Sequence, residues 1–142
     1  MSGKTDLVDS IFHRYNCAQT VFKIFAPELG IDDSTALKIA SGFGGGMNCA
    51  ETCGAVTGSY MVIGMKHGHT TTDPDEKAYT KTRILEFNRC FREKHRSLKC
   101  RELTGFDIST PEGSEAARDT GVFRDKCPLF IKTAIEIIEE RF

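Results

Sequence analysis

Six cysteines supply most of the distinctive chemistry of this 142-residue chain. Thiols can exchange disulfides, bind soft metal ions, or fill a core as small apolar groups. The sequence contains neither a CxxC pair nor a CxxCH motif, so thioredoxin-like, common zinc-binding and covalent haem sites are not indicated. The cysteines are Cys17, Cys49, Cys53, Cys90, Cys100 and Cys127.

Cys49 and Cys53 follow a glycine-rich run, residues 42–46. We predict a helix over roughly residues 48–66, with Asn48 as its cap and Cys49 in its first turn. Free amide groups and the positive end of the helix dipole favour a thiolate there. Cys53 would lie one turn further on the same face, with Cβ atoms about 5–6 Å apart. A disulfide needs about 3.8 Å between these atoms, so each cysteine is expected to pair, if at all, with one from elsewhere.

Small residues recur every four positions along the same predicted helix, at Ala50, Gly54 and Gly58. Each of the two glycines costs about 1 kcal/mol of helix stability relative to alanine. Close packing against another helix is one explanation. The other is that this close approach brings a cysteine of a second helix near Cys53.

Two further cysteines lie beside predicted helix ends. Cys127 precedes Pro128 at the start of the last predicted helix, next to the cation Lys126. We expect the same acidifying environment there as at Cys49. Cys100 follows the fourth predicted helix and precedes Arg101, whose charge is typical of a solvated face.

Apolar residues at spacings of three and four recur along the chain, whereas sustained period-two alternation is missing. We therefore predict an all-α protein, a single compact domain over residues 1–142 with about five helices and a glycine-rich loop before the cysteine-bearing third helix. The first helix follows a stripe from Leu7 to Phe25, and Asp73 with Pro74 starts the fourth. Residues 105–121 are predicted to be loop with one short helix at Glu115–Arg118.

Composition limits the function classes. The chain has 19 basic and 20 acidic residues, so its near-neutral charge argues against binding to nucleic acid or an anionic membrane. The longest weakly polar run, residues 55–65, is about half of a membrane-spanning helix. No apolar signal core is present near the N-terminus. We expect a cytoplasmic protein that is not membrane-embedded, in which cysteines indicate redox chemistry or metal binding rather than structural disulfides.

Four cysteine-centred segments occur in an order that resembles the C-GCAxxG-C-C family, described as redox-active, over about residues 8–140. These segments are Asn16-Cys17-Ala18-Gln19, Cys53-Gly54-Ala55-Val56-Thr57-Gly58, Cys100-Arg101-Glu102-Leu103 and Cys127-Pro128. Thr52 stands where the longer GCAxxG form has glycine. The resemblance implies that Cys17, Cys53, Cys100 and Cys127 are the redox candidates, with Cys49 as a possible addition. Genes of this family often lie near transporter genes, which implies association with a transporter.

Three hypotheses remain open. In the first, Cys53 and one of the other three family cysteines alternate between dithiol and disulfide, the helix-terminal thiolate attacks, and a separate redox partner exchanges electrons. In the second, the same cysteines bind a metal ion or an iron–sulfur cluster. In the third, the thiols belong to the core of a transporter-binding protein. A homodimer could form through the glycine-lined helix face.

Overall fold

Capping residues divide the chain into more helices than the apolar stripes predict. The computed structural model describes residues 3–142, and within that range the chain forms nine α-helices and no β-strand. The all-α prediction is confirmed, but the expected number of about five helices was too low. A 3₁₀ turn, Thr5–Leu7, precedes α1 (Val8–Phe12), α2 (Cys17–Leu29), α3 (Asp33–Ala40), α4 (Gly54–His67), α5 (Pro74–His95), α6 (Cys100–Thr104), α7 (Pro111–Thr120), α8 (Val122–Asp125) and α9 (Cys127–Arg141).

The predicted first helix is two helices, α1 and α2, because a capping box starts a new helix at Cys17. The Asn16 side chain accepts a hydrogen bond from the Gln19 amide at 2.8 Å, and the Gln19 side chain accepts one from the Asn16 amide at 3.1 Å. This reciprocal pair satisfies two amide groups that a continuing helix would bond differently. The apolar stripe from Leu7 to Phe25 is therefore interrupted.

A second difference lies in residues 105–121, where helix α7 extends well beyond the short helix predicted at Glu115–Arg118. The Thr110 hydroxyl accepts a hydrogen bond from the Gly113 amide at 3.0 Å, and Pro111 occupies the first helical position. Gly121 ends the helix with a φ of +77°, a conformation that suits glycine. The short helices α6 and α8 on either side were not predicted.

The cysteine-bearing helix after the glycine-rich loop begins at Gly54 rather than at Asn48. Met47, Asn48 and Ala50 have φ values of 60°, 58° and 58°, which a right-handed helix does not allow. The chain instead makes a wide turn over residues 46–50. Cys49 is therefore not in a helical first turn and shares no helix face with Cys53, so both of these expectations were wrong.

Helix α4 lies at the centre of the single apolar core and packs against α2, α5 and α9. Every residue from Gly54 to Ser59 is buried. The Ser59 hydroxyl, buried with them, donates to the Ala55 carbonyl oxygen at 2.6 Å. The largest fully buried side chains of the core include Val21 and Phe25 on α2, Val56 and Ile63 on α4, Phe87 and Phe91 on α5, and Ile131, Ile135 and Ile138 on α9.

Helices α2 and α4 approach each other so closely that the contact requires glycine. A Cβ atom at Gly54 would lie 2.9 Å from the Cys17 Cβ and 2.9 Å from the Ala18 amide nitrogen. At Gly58 it would lie 2.9 Å from the Ala18 carbonyl oxygen. Both explanations of the small residues therefore apply, since the packed backbone also places Cys17 beside the start of α4.

Across residues 3–142, none of the helices combines the length and apolar character that crossing a bilayer requires. Cys90, in the C-terminal third of α5, is buried in the apolar core, so its side chain contributes to packing.

Two glycines of α4 provide a matched test of the close contact. Gly58→Ala gains helix propensity but forces a methyl group against the α2 backbone, so we expect it to lower the free energy of unfolding by about 1–3 kcal/mol. Gly64→Ala changes the same helix where no atom lies within 4 Å of the added methyl group, and should raise stability by up to about 1 kcal/mol. Urea unfolding measures both. Equal effects of the two substitutions would contradict the packing account.

Candidate functional site

Four cysteines that are distant in sequence line one cavity of about 800 Å³. Each lies at the start of a helix. Cys17, Cys100 and Cys127 are the first residues of α2, α6 and α9, and Cys53 is the residue that precedes α4. Cys49, the fifth candidate, is exposed outside the cavity, where its thiol contacts the Gly46 carbonyl oxygen at 3.2 Å.

An antiparallel bridge between Thr52 and Lys99 positions two of these cysteines. The Cys53 amide donates to the Leu98 carbonyl at 2.7 Å. The Cys100 amide donates to the Glu51 carbonyl at 2.6 Å. Because side chains alternate along paired segments, Cys53 and Cys100 project to the same side as diagonal neighbours.

Arg101 fixes the turn that leads into this bridge. Its guanidinium donates to the carbonyl oxygens of Ala50 at 3.0 Å and Cys49 at 3.2 Å, and forms an ion pair with Glu51 at 2.5 Å. These contacts hold the strained turn over residues 46–50. The sequence pattern indicated only a solvated charge at Arg101, because a residue 50 positions away in sequence gives no local signal of contact.

Gly46 brings the turn against the third of the four cysteines. Its φ of +61° suits glycine, and a Cβ atom there would lie 2.9 Å from the Cys100 Cβ and 2.5 Å from the Glu51 amide nitrogen. The glycine-rich loop therefore forms part of the cavity wall, which explains why small residues precede the cysteines.

Most of the other side chains that line the cavity are apolar. The acidic, basic and histidine side chains among the described residues that line it are Asp9, His13 and Arg124, and all three are exposed. The cavity therefore has buried sulfurs at its floor and polar groups at its rim. Sequence reasoning missed this lining because it comes from several helices and loops; its larger apolar members include Phe12, Tyr15, Leu103, Ile108, Phe123 and Phe130.

Cys17 and Cys127 interact directly across the ends of α2 and α9. A hydrogen bond with Cys127 raises the pKa of the Cys17 thiol well above its usual range, and burial adds to this effect. The same hydrogen bond lowers the pKa of Cys127, against the opposing effect of burial. Cys127 is thus the cysteine of the pair that ionises first, with Cys17 as the proton donor to its thiolate.

Cys53 and Cys100 retain their protons at neutral pH. Burial raises the pKa of Cys53 to about 12, although the first amide groups of α4 oppose the shift. Burial and then the neighbouring charge of Cys127 raise the pKa of Cys100 to about 11. Position at a helix start therefore does not by itself create a reactive thiolate.

The sequence also predicted these cysteines as ligands of a metal ion or an iron–sulfur cluster. Over the described range, residues 3–142, no three or more histidine, cysteine or acidic side chains form a group arranged to hold a metal ion.

Comparison with known proteins identifies one family. The model of the family described as "Putative redox-active protein (C_GCAxxG_C_C)" matches residues 15–141. This span includes all four cysteines that line the cavity. No curated protein and no solved structure matches the chain.

Removing the Arg101 side chain tests whether its hydrogen bonds stabilise the turn over residues 46–50. Arg101→Ala deletes two hydrogen bonds to backbone carbonyls, each worth about 1 kcal/mol, so amide exchange over residues 46–53 should accelerate about tenfold or more. Hydrogen-exchange mass spectrometry measures this. Arg89→Ala, which removes an exposed ion pair with Glu93 on α5, is the control and should leave these residues unchanged. Unaltered amide exchange in Arg101→Ala would show that the turn is stable without the Arg101 side chain.

Proposed function

The chain belongs to the C_GCAxxG_C_C family, and we propose that in this protein Cys17 and Cys127 form a dithiol that reacts with disulfides. The observation that supports this most directly is that Cys17 and Cys127, the first residues of α2 and α9, line the same cavity, where interaction with Cys17 lowers the pKa of Cys127. A thiolate is the attacking species in disulfide exchange. The second thiol of the pair is already next to it, as the resolving step requires.

The exchange proceeds in two steps. The Cys127 thiolate attacks one sulfur of a substrate disulfide, so that a mixed disulfide forms and the first substrate thiolate leaves and takes a proton. Cys17 then loses its proton and attacks the Cys127 sulfur. The Cys17–Cys127 disulfide forms, and the second substrate thiol leaves with that proton. Two electrons pass from the protein dithiol to the substrate. An external dithiol then reduces the Cys17–Cys127 disulfide and restores the protein dithiol.

This assignment changes the pair favoured by the sequence, which included Cys53. Cys53 and Cys127 are equally buried, but the high pKa of Cys53, about 12, makes it a poor attacking group at neutral pH. Cys53 and Cys100 instead complete the floor of the cavity as protonated thiols. The cytoplasmic location, the redox partner, the transporter association and the homodimer stay predictions.

Thiol mapping tests the proposed pair. We use a Cys49→Ser background, because Cys49 is exposed and would form adducts. Reaction with a small disulfide, followed by alkylation and mass spectrometry, should show the reversible loss of two thiols and a Cys17–Cys127 link. The link should be absent in Cys127→Ser and unchanged in the core variant Cys90→Ser. A different link, or a folded protein in which no thiol is lost, would contradict the proposal.

The pH dependence of alkylation tests the hydrogen bond. In the same background, the reaction of Cys127 with iodoacetamide should reach half its maximal rate at a lower pH than an ordinary thiol does. Cys17→Ala removes the donor that stabilises the thiolate, so the pKa of Cys127 rises, the midpoint moves to higher pH and the rate at neutral pH falls. Cys17→Ser keeps a hydroxyl donor and should restore part of the shift. An unchanged midpoint in Cys17→Ala would rule out this activation; Cys90→Ala is the control.

A further inference from the structure

The attacking sulfur lies inside the cavity. Cys127 is 5 % exposed and lines the cavity below its exposed rim, whereas the resolving residue, Cys17, is half-buried. A cavity of about 800 Å³ is within the range that holds small organic ligands, roughly 300–1,000 Å³. A disulfide that belongs to the surface of a folded protein would need the rim to open before its sulfur reached Cys127.

The chemistry of the walls favours an uncharged, apolar occupant. Phe123, which is near Cys127 in the sequence, contributes an aromatic ring to the wall. Ile108 also lines the wall and extends toward the glycine-rich loop, where its Cδ1 atom lies 3.1 Å from the position that a Gly45 Cβ would take. At the rim, Asp9 is paired with Lys132 at 3.3 Å and Arg124 with Asp125 at 3.2 Å. Two of the three rim groups are thus already paired within the protein, and His13 is the third.

We propose that the substrate is a low-molecular-weight disulfide with aromatic or branched aliphatic substituents, rather than a protein disulfide. This inference rests on the proposed function. The substituents would be buried against the aromatic and aliphatic side chains of the wall, where apolar burial stabilises the complex. The buried complex places the substrate sulfur beside Cys127, and the exchange then follows the two steps given above. The cavity walls thus select the substrate by its size and polarity, and the cysteine pair reacts with its disulfide bond.

Rates with three disulfides test the substrate class. The reduced Cys49→Ser protein is mixed with 4,4′-dithiodipyridine, with oxidised glutathione, or with a folded protein disulfide, oxidised thioredoxin. Formation of the Cys17–Cys127 link is followed, and each rate is divided by the rate of the same disulfide with N-acetylcysteine. We expect a normalised rate at least about tenfold higher for the aromatic disulfide than for glutathione disulfide, and no measurable reaction with the protein disulfide.

Cavity variants then test whether this preference comes from the walls. Ile108→Trp fills the cavity and should reduce the rate with the aromatic disulfide about tenfold, while the pH midpoint of Cys127 alkylation stays the same. Phe123→Ala enlarges the cavity and should raise the concentration of aromatic disulfide at which the rate is half-maximal. Leu129→Trp is the matched control, because Leu129 is exposed on α9, two residues after Cys127, and does not line the cavity. Thermal unfolding verifies that each variant is folded.

The outcomes distinguish this inference from the proposed function. If all three disulfides form the Cys17–Cys127 link at similar normalised rates, or if the folded cavity variants react like the control, the substrate class is wrong while the dithiol remains. If no disulfide forms the link in the folded protein, both proposals are overturned. A high rate with the aromatic disulfide that Ile108→Trp abolishes and Leu129→Trp preserves supports the inference.

Discussion

The close contact between α2 and α4 is the constraint on which the site depends. Gly54 and Gly58 allow the α4 backbone to approach Ala18, and that approach places the start of α2 next to the start of α4. Helix α9 packs against both helices and adds its own first residue to the same region. Cysteines at positions 17, 53 and 127 become neighbours because the helices that begin there converge, so the cavity results from helix packing and not from a local cysteine motif.

Burial and helix-end electrostatics act in opposite directions on these thiols, and their balance differs from one cysteine to the next. Cys53 precedes a 14-residue helix, yet burial outweighs the effect of the helix amides and raises its pKa. Cys127 is nearly as buried, but it accepts a hydrogen bond from Cys17, and this bond reverses the direction of the shift. A specific donor therefore selects one thiolate among four similarly placed sulfurs.

The sequence predicted those features that depend on neighbouring residues. The start of α5 at Asp73 and Pro74, the start of α9 at Cys127, and the all-α class all follow from caps and periodicity. The division of α1 from α2 could also be predicted from the sequence, since Asn16 and Gln19 have the spacing of a capping box. The turn over residues 46–50 was not, because its left-handed residues are held by Arg101 from a distant helix. Likewise, only the packed structure shows which cysteines meet.

The two cysteine pairs differ in how their backbones are held, and this difference bears on which pair can react. Cys53 and Cys100 flank a bridge whose two short hydrogen bonds fix their backbones. Across the bridge they are diagonal neighbours and not directly opposed residues. Cys17 and Cys127 begin separate helices, and their side chains already share a hydrogen bond. The pair that contains the thiol with the lowered pKa is therefore also the pair whose side chains already interact.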